Sequence, residues 1–162
     1  MDYKHIAKSY IELHKEEQLK KLDKIQEYLE TNKISLKNKK ILDVGSGTGI
    51  STDYFEGVVG LEPEIEMIKQ GSYNAIQGNA ENLPFKDHSF DVILSVTAIH
   101  NVKYFEKAIS EMKRVLKPKY LLIITLLRKS NKFEEVKQLI EEEFNVIEIQ
   151  EEKEIILISN NL

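Results

Sequence analysis

Alternating glycines between an apolar segment and a helical one constrain this chain more than any other feature. The run reads Asp43-Val44-Gly45-Ser46-Gly47-Thr48-Gly49 and directly follows Lys40-Ile41-Leu42. Glycine has no Cβ atom, so the backbone can approach a ligand closely at such a turn. The amides that open the following helix are unpaired donors at the positive end of its dipole. The pattern predicts a strand-to-helix turn that binds an anionic or zwitterionic ligand at the carboxyl end of the first strand.

The spacing of these glycines separates the turn from two other nucleotide-binding turns. A dinucleotide-binding turn has the form G-x-G-x-x-G, but Ile50 stands here where its third glycine would be. A P-loop needs the sequence G-K-[ST], which this turn lacks. A glycine turn that binds no ligand is the alternative that the residues leave open.

The form D-x-G-x-G-x-G resembles motif I of the class I S-adenosylmethionine (SAM) methyltransferases. The likeness covers about residues 38–160 and is closest to the ubiquinone-biosynthesis-like group, known as type 11. It also rests on Glu62-Pro63 and on the run Gly78-Asn79-Ala80-Glu81-Asn82-Leu83-Pro84-Phe85, which is similar to the group's G-D-A-E-x-L-P-F. The resemblance implies methyl transfer, with SAM as the cofactor and S-adenosylhomocysteine (SAH) as the product.

Apolar runs alternate with helical patterns after residue 39. The predicted strands are Lys40–Val44, Val58–Leu61, Ala75–Gln77, Phe90–Val96, Tyr120–Leu127, Val146–Gln150 and Ile155–Ser159. The predicted helices are Ile50–Phe55, Glu64–Gln70, Phe105–Leu116 and Lys132–Glu143. Only a hairpin fits between the last two strands, so the last strand should be antiparallel. These connections predict one α/β domain, a Rossmann-like, mostly parallel seven-stranded sheet with helices on both faces.

The first part of the chain is helical in pattern. Leu19, Leu22, Ile25 and Leu29 recur at three- and four-residue steps between charged residues. We predict that residues 1–38 form a helical lid and that residues 39–162 form the SAM-binding core. Because the connections within the core are short, only this segment is available to cover the site, which leaves a wide mouth.

The resemblance assigns a cofactor site residue by residue. Motif I would hold the methionine half of SAM with Asp43, Gly45, Ser46, Gly47 and Gly49, and Asp43 would accept a hydrogen bond from the ammonium group. A purely structural role for Asp43 is the alternative. Glu62, at the tip of the second strand, would accept both ribose hydroxyls.

Further residues would complete the cofactor site. Met67 would lie on the adenine side beside Pro63, and Asn79, Ala80 and Glu81 would form the adenine wall. Asn79 departs from the family, which carries an acid there, so one charge-assisted bond is lost. The remaining predicted contacts are Tyr10, from a segment that resembles the family's lead-in, and Ser95, Val96 and Thr97 near the methyl group.

His100 is the candidate catalytic residue, because it follows the fourth strand and could accept a proton near neutral pH. The alternatives are a helix cap or a packed histidine, since many related reactions need positioning rather than a base. No metal site is predicted. The chain has no cysteine, and its four histidines form no H-x-x-x-H pair.

Charge and composition leave the methyl acceptor open. The net charge is −4, yet residues 101–132 carry nine Lys or Arg against two Glu, and residues 133–162 carry nine Glu against two Lys. These are either solvated faces or, for the first, a docking face for RNA or an acidic protein. We expect a cytoplasmic protein without a membrane partner. Its acceptor is a small molecule, RNA or protein, and a small activator subunit is one option. The alternative function is an inactive SAM-binding or partner-binding module.

Overall fold

The computed structural model describes the backbone of residues 3–162 and the side chains from Glu12 onward. The strands are β1 (Ile41–Val44), β2 (Val58–Glu62), β3 (Ala75–Gln77), β4 (Phe90–Val96), β5 (Leu116–Leu127), β6 (Ile147–Gln150) and β7 (Glu154–Asn160). The helices are α1 (Tyr3–Thr31), α2 (Ile50–Tyr54), α3 (Ile65–Ile68), α4 (Phe105–Val115) and α5 (Phe133–Glu143), with a 3-10 turn at Ile99–Asn101.

All seven strands belong to one sheet, in the order β3-β2-β1-β4-β5-β7-β6. β1 runs parallel to both β2 and β4, whereas β7 runs antiparallel to both β5 and β6. The predicted fold, with its antiparallel last strand, is therefore confirmed.

The register of the central strands places their carboxyl ends side by side. Asp43 pairs with Gly60 of β2 on one side and with Leu94 of β4 on the other. The strand order also reverses here, because β2 and β3 add on one side of β1 while β4 and β5 add on the other. In open α/β sheets, such a reversal leaves a crevice at the carboxyl ends of the strands.

Helices cover the two faces of the sheet. α4 buries Phe105, Ala108, Ile109, Met112 and Val115, a helical stripe that packs in one apolar cluster with α5 and the strands. Two basic residues in its last turn, Lys113 and Arg114, lie at the negative end of the helix dipole and stabilise the helix there. These contacts hold β4 and β5 in place beneath the crevice.

α1 covers the opposite face. Leu22, Ile25 and Leu29 are at most 2% exposed and belong to an apolar cluster with Ile41 and Val92 of the central strands. This part of the predicted lid segment is therefore built into the hydrophobic core. The division into a lid at residues 1–38 and a core at residues 39–162 stays a prediction.

The predicted strands and helices agree with the structure to within one or two residues at each end, with one exception, the start of β5. α3 lies within this margin, although with four residues it is shorter than the predicted Glu64–Gln70. β5 begins at Leu116 rather than Tyr120, and its pairing with β4 shifts register between Phe90 and Val92. Pro118 lies in this irregular part and has no N–H to donate. Because proline normally argues against a strand, the sequence pattern did not predict the first four residues of β5. No helix within residues 3–162 has the length and apolar character needed to cross a bilayer.

Candidate functional site

A cavity of about 1310 Å³ lies at the carboxyl ends of β1, β2 and β4. It is larger than the roughly 300–1,000 Å³ of a typical ligand pocket, so it has room for two ligands. The structure places most of the predicted cofactor residues in its wall. Those that line it are Gly45, Ser46, Gly47, Gly49, Glu62, Pro63, Met67, Asn79, Ala80, Glu81, Ser95, Val96 and Thr97.

Three predicted site residues are not among those that line the cavity. The side chain of Tyr10 lies outside the described residues. Asp43 and His100 are described, and both are buried away from the cavity wall.

The Asp43 carboxylate faces the start of α2 instead of the cavity. Its Oδ2 accepts hydrogen bonds from Ser51 Oγ at 2.5 Å and Thr52 Oγ1 at 2.8 Å. Its Oδ1 is buried without a partner among the described residues, and burial raises the pKa of Asp43 to about 6. The predicted bond from Asp43 to a ligand ammonium, directly or through water, stays a prediction, and the geometry shows the alternative structural role, in which the side chain joins β1 to α2.

His100 lies in the 3-10 turn after β4 and is 8% exposed. Burial lowers the pKa of His100, and the nearby charge of Lys21 lowers it further. Its Nδ1 has no hydrogen-bond partner among the described residues. The lowered pKa favours the neutral imidazole that a base requires, but the position of His100 does not favour that role, because His100 is buried and is not among the residues that line the cavity.

The glycine turn has a backbone that other residues would strain. Gly45 and Gly49 have φ angles of +76° and +89°, in the left-handed region that favours glycine. A Cβ atom on Gly45 would lie 2.4 Å from Ala98 Cβ, and one on Gly49 would lie 2.2 Å from the Tyr73 ring. The turn is thus held close to both β4 and the loop after α3.

Tyr73 is a structural residue of the site that the sequence interpretation missed. Its hydroxyl donates to the Gly47 carbonyl at 2.6 Å and lies 3.1 Å from Ser46 Oγ, and burial raises the pKa of Tyr73. Its ring also occupies the space that a Cβ on Gly60 would need. The only signal in the sequence was an aromatic residue near a glycine-rich stretch, which does not show where the ring packs.

Glu62 connects the glycine turn to the tip of β2. Its Oε2 accepts from the Gly47 N–H at 2.9 Å, and its Oε1 accepts from the Glu64 N–H at 3.1 Å. A carboxylate has about four acceptor positions, so two remain after these bonds. Because Glu62 lines the cavity, those positions are available to hydroxyl groups of a ligand.

The loop that carries Asn79, Ala80 and Glu81 is anchored from α4. Arg114 donates to the carbonyls of Leu83 and Phe85, and Glu111 accepts from the Leu83 N–H at 2.8 Å. Arg114 also forms hydrogen-bonded ion pairs with Glu111 and Asp87. This network fixes one side of the cavity from a helix that does not itself line it.

α1 forms the opposite side of the cavity. His14, Lys15, Gln18 and Leu19 line it, facing the carboxyl end of β4 at Thr97. Among the residues whose side chains the structure describes, His14 is the histidine that lines the cavity. The site therefore has a half built around the glycine turn and Glu62 and a half built between α1 and β4.

The chain matches the family model described as a methyltransferase domain over residues 42–124. This region is about half of the chain and contains the glycine turn, Glu62 and the loop after β3. The chain belongs to the class I SAM-dependent methyltransferases.

Named relatives agree with this assignment. The chain is 36% identical over 115 residues to phthiotriol/phenolphthiotriol dimycocerosates methyltransferase 1 of Mycobacterium ulcerans, and the match covers 63% of this chain and 42% of the relative. It is 34% identical to the ubiquinone/menaquinone biosynthesis C-methyltransferase of Psychromonas ingrahamii, over 54% of this chain and 42% of that protein. The chain thus spans about two fifths of the length of these relatives.

A solved structure is similar over most of both chains. It is a SAM-dependent methyltransferase from Thermotoga maritima, described as a possible histamine N-methyltransferase. The TM-score is 0.63 at 25% identity, with 83% of this methyltransferase and 87% of that chain covered. This likeness agrees with the observed sheet order and its antiparallel end.

Proposed function

We propose that this methyltransferase transfers the methyl group of SAM to an acceptor held between the carboxyl end of β4 and the N-terminal half of α1. The observation that carries the proposal is Glu62 at the tip of β2, joined to the glycine turn through the Gly47 N–H and facing the cavity. A carboxylate next to an exposed backbone turn suits a ligand that combines hydroxyl groups with an amino acid portion.

The residues present fit SAM. Two acceptor positions on Glu62 remain for the ribose hydroxyls, and the glycine turn leaves no side chain at the positions closest to the ligand. Asn79 and Met67 line the cavity on the side of β3 where the adenine would lie. Asp43 supports the start of α2 through its Oδ2, which accepts from Ser51 and Thr52, whereas its buried Oδ1 has no partner among the described residues.

SAM, when bound, supplies a methyl group that is already activated by a positively charged sulfur. The chain therefore needs chiefly to bring the acceptor into line and to exclude water. Ser95 Oγ donates to the Val44 carbonyl at 3.0 Å, which holds the ends of β4 and β1 together at this point. His14 is the imidazole available to take a proton from an acceptor that must lose one.

The test is to incubate the chain with SAM carrying a labelled methyl group and fractionated cell lysate. Label should enter RNA, protein or a small molecule, and the fraction labelled identifies the acceptor class. Glu62→Gln should reduce the labelling, whereas Glu66→Gln, an exposed acid paired with Lys69, should not. SAH binding without labelling of any fraction would instead indicate a module that binds the cofactor without transfer. Absence of SAH binding would refute the proposal.

A further inference from the structure

Thr97 has an unusual backbone conformation at the end of β4. Its φ angle is +55°, a region in which a β-branched residue is rare and strained. Two bonds hold it there. Its N–H donates to Thr125 Oγ1 at 2.7 Å, and its Oγ1 accepts from Lys21 Nζ at 2.7 Å. Strain of this kind persists only where the surroundings impose it, and it is concentrated at functional sites.

The hydrogen bonds around Thr97 determine where its hydroxyl hydrogen points. Thr125 is fully buried, its Oγ1 accepts from the Thr97 N–H, and its own hydrogen needs an acceptor. The one acceptor that the described residues offer it is Thr97 Oγ1, at 3.2 Å. Thr97 Oγ1 then accepts from both Thr125 and Lys21, so both of its lone pairs are used. Its own hydrogen is left to donate, and Thr97 lines the cavity.

A positive charge lies directly behind this hydroxyl. The side chain of Lys21 is 12% exposed and that of Glu154 is 6% exposed, and Lys21 Nζ lies 3.0 Å from Glu154 Oε2 without hydrogen-bond geometry. His100 lies near Lys21 and is the third titratable group of the cluster. Because Lys21 donates to Thr97 directly, it polarises the hydroxyl and strengthens it as a donor.

We propose that the Thr97 hydroxyl binds an electron-rich oxygen of the methyl-accepting molecule, such as a phenolate, an enolate or a carbonyl. Lys21 is the positioning residue that orients and polarises this hydroxyl. The inference rests on the proposed function, since it specifies what occupies the acceptor half of the same cavity. It points to an acceptor that carries an oxygen beside the methylation site.

The probe for this inference is p-nitrophenol, titrated into the SAH-loaded chain near neutral pH. Its absorbance reports both binding and the fraction present as phenolate. The nearly isosteric p-nitroaniline, which has no oxyanion, serves as the comparison. We expect the wild type to bind p-nitrophenol at least about tenfold more tightly than p-nitroaniline, the range for a hydrogen bond to a charged group.

Variants of Thr97 separate the hydroxyl from the shape of the side chain. Thr97→Val keeps the branched shape and removes the donor, so it should weaken p-nitrophenol binding by about tenfold to a hundredfold and abolish the preference over p-nitroaniline. Thr97→Ser keeps the donor and should stay within about threefold of the wild type. SAH affinity, measured in both variants as the control for folding, should change far less than the affinity for p-nitrophenol.

The role of Lys21 is tested by a measurement that a loss of folding stability alone would not change, the apparent pKa of bound p-nitrophenol. The double variant Lys21→Met, Glu154→Gln avoids leaving a buried carboxylate unpaired. In the wild-type complex, the apparent pKa of bound p-nitrophenol should lie below its value in water, and in the double variant it should rise back towards that value. SAH affinity again serves as the control for folding.

The outcomes distinguish two failures. The inference is overturned if the SAH-loaded wild type does not prefer p-nitrophenol, or if Thr97→Val binds it as the wild type does. An unchanged pKa of bound p-nitrophenol in the double variant would overturn the role of Lys21. If the wild type does not bind SAH at all, the proposed function has failed, and the inference fails with it.

Discussion

The two halves of the cavity are built in different ways: the half around the glycine turn and Glu62, which we propose binds the cofactor (the cofactor half), and the half between α1 and β4, which we propose binds the acceptor (the acceptor half). In the cofactor half, the bonds within the glycine motif and to the tip of β2 are short in sequence, 8 positions from Asp43 to Ser51 and 15 from Gly47 to Glu62. The supporting bonds of Tyr73 and Arg114 span 26 to 31 positions. In the acceptor half, Lys21 and Thr97 are 76 positions apart, and Thr97 and Thr125 are 28 apart. Short-range bonds form a contiguous motif that is visible in the sequence. The acceptor half depends on side chains that only the folded sheet and α1 bring together.

The largest effect that we expect is in the cofactor half, from Gly45→Ala. The new Cβ would lie 2.4 Å from Ala98 Cβ at a φ of +76°, so the turn must move away from β4. Left-handed strain and overpacking together should cost about 2–5 kcal/mol of folding stability, and the displaced turn should lose most of its SAH affinity, measured by calorimetry.

Gly57→Ala is the matched control for this substitution. Gly57 has a φ of +75°, but its added Cβ meets nothing within 4 Å. It should lose about 1–2 kcal/mol of folding stability and keep its SAH affinity. Equal affinity losses in the two variants would show that the close approach of the turn to β4 is not what matters.

Asp43 tests the support beneath the glycine turn. Burial raises the pKa of Asp43 from 3.8 to about 6, so between these values the folded chain holds a proton that the unfolded chain has released. The stabilisation is complete below about pH 4 and is lost as the pH rises to about 6, a change of about 3 kcal/mol.

The measurement is urea unfolding of the wild type and of Asp43→Asn across this range. The free energy of unfolding of the wild type should fall relative to that of the variant between about pH 4 and pH 6, and their difference should then stay constant. A difference independent of pH would mean that Asp43 is not buried as described.

Glu62→Gln should weaken SAH binding by about 1–3 kcal/mol. The amide nitrogen would face the N–H of either Gly47 or Glu64, and a donor cannot replace the acceptor that both N–H groups need. Glu66→Gln is the control, and its affinity should match that of the wild type in the same titration. An unchanged affinity in Glu62→Gln would remove the ribose contact from the account.

The smallest effect expected in the cofactor half is from Arg114→Met, which releases the loop at Leu83 and Phe85. Without its two bonds to the loop carbonyls, SAH affinity should fall by about 1 kcal/mol, and amide exchange over residues 79–87 should become faster. Lys113→Met removes an exposed ion pair with Glu143. It should change SAH affinity by no more than about 0.5 kcal/mol and should leave amide exchange over residues 79–87 as in the wild type. Identical behaviour of the two variants would show that the loop does not need its anchor on α4.

The difference between the halves also explains what the sequence could predict. Alternating apolar runs and one short last connection predicted the sheet, and the motifs shared with the methyltransferase family indicated residues from Gly45 to Glu81 that line the cavity. Asp43 and His100 were misplaced relative to the cavity because a one-dimensional pattern does not show which way a side chain turns at a strand end. Lys21 on an amphipathic helix looks like any other surface lysine. Its burial between Thr97 and Glu154 follows only from how α1 crosses the sheet.

Hydrogen exchange with and without saturating SAH tests the central claim most directly, because it reports both binding and its location. We expect slower exchange in three segments, at residues 45–50, 62–67 and 79–83, with no change along β6 and β7. These are the glycine turn, the tip of β2 with α3, and the loop after β3, which together line the cofactor half. No protection in these three segments, with or without protection elsewhere, would contradict the claim that this half of the cavity binds the cofactor.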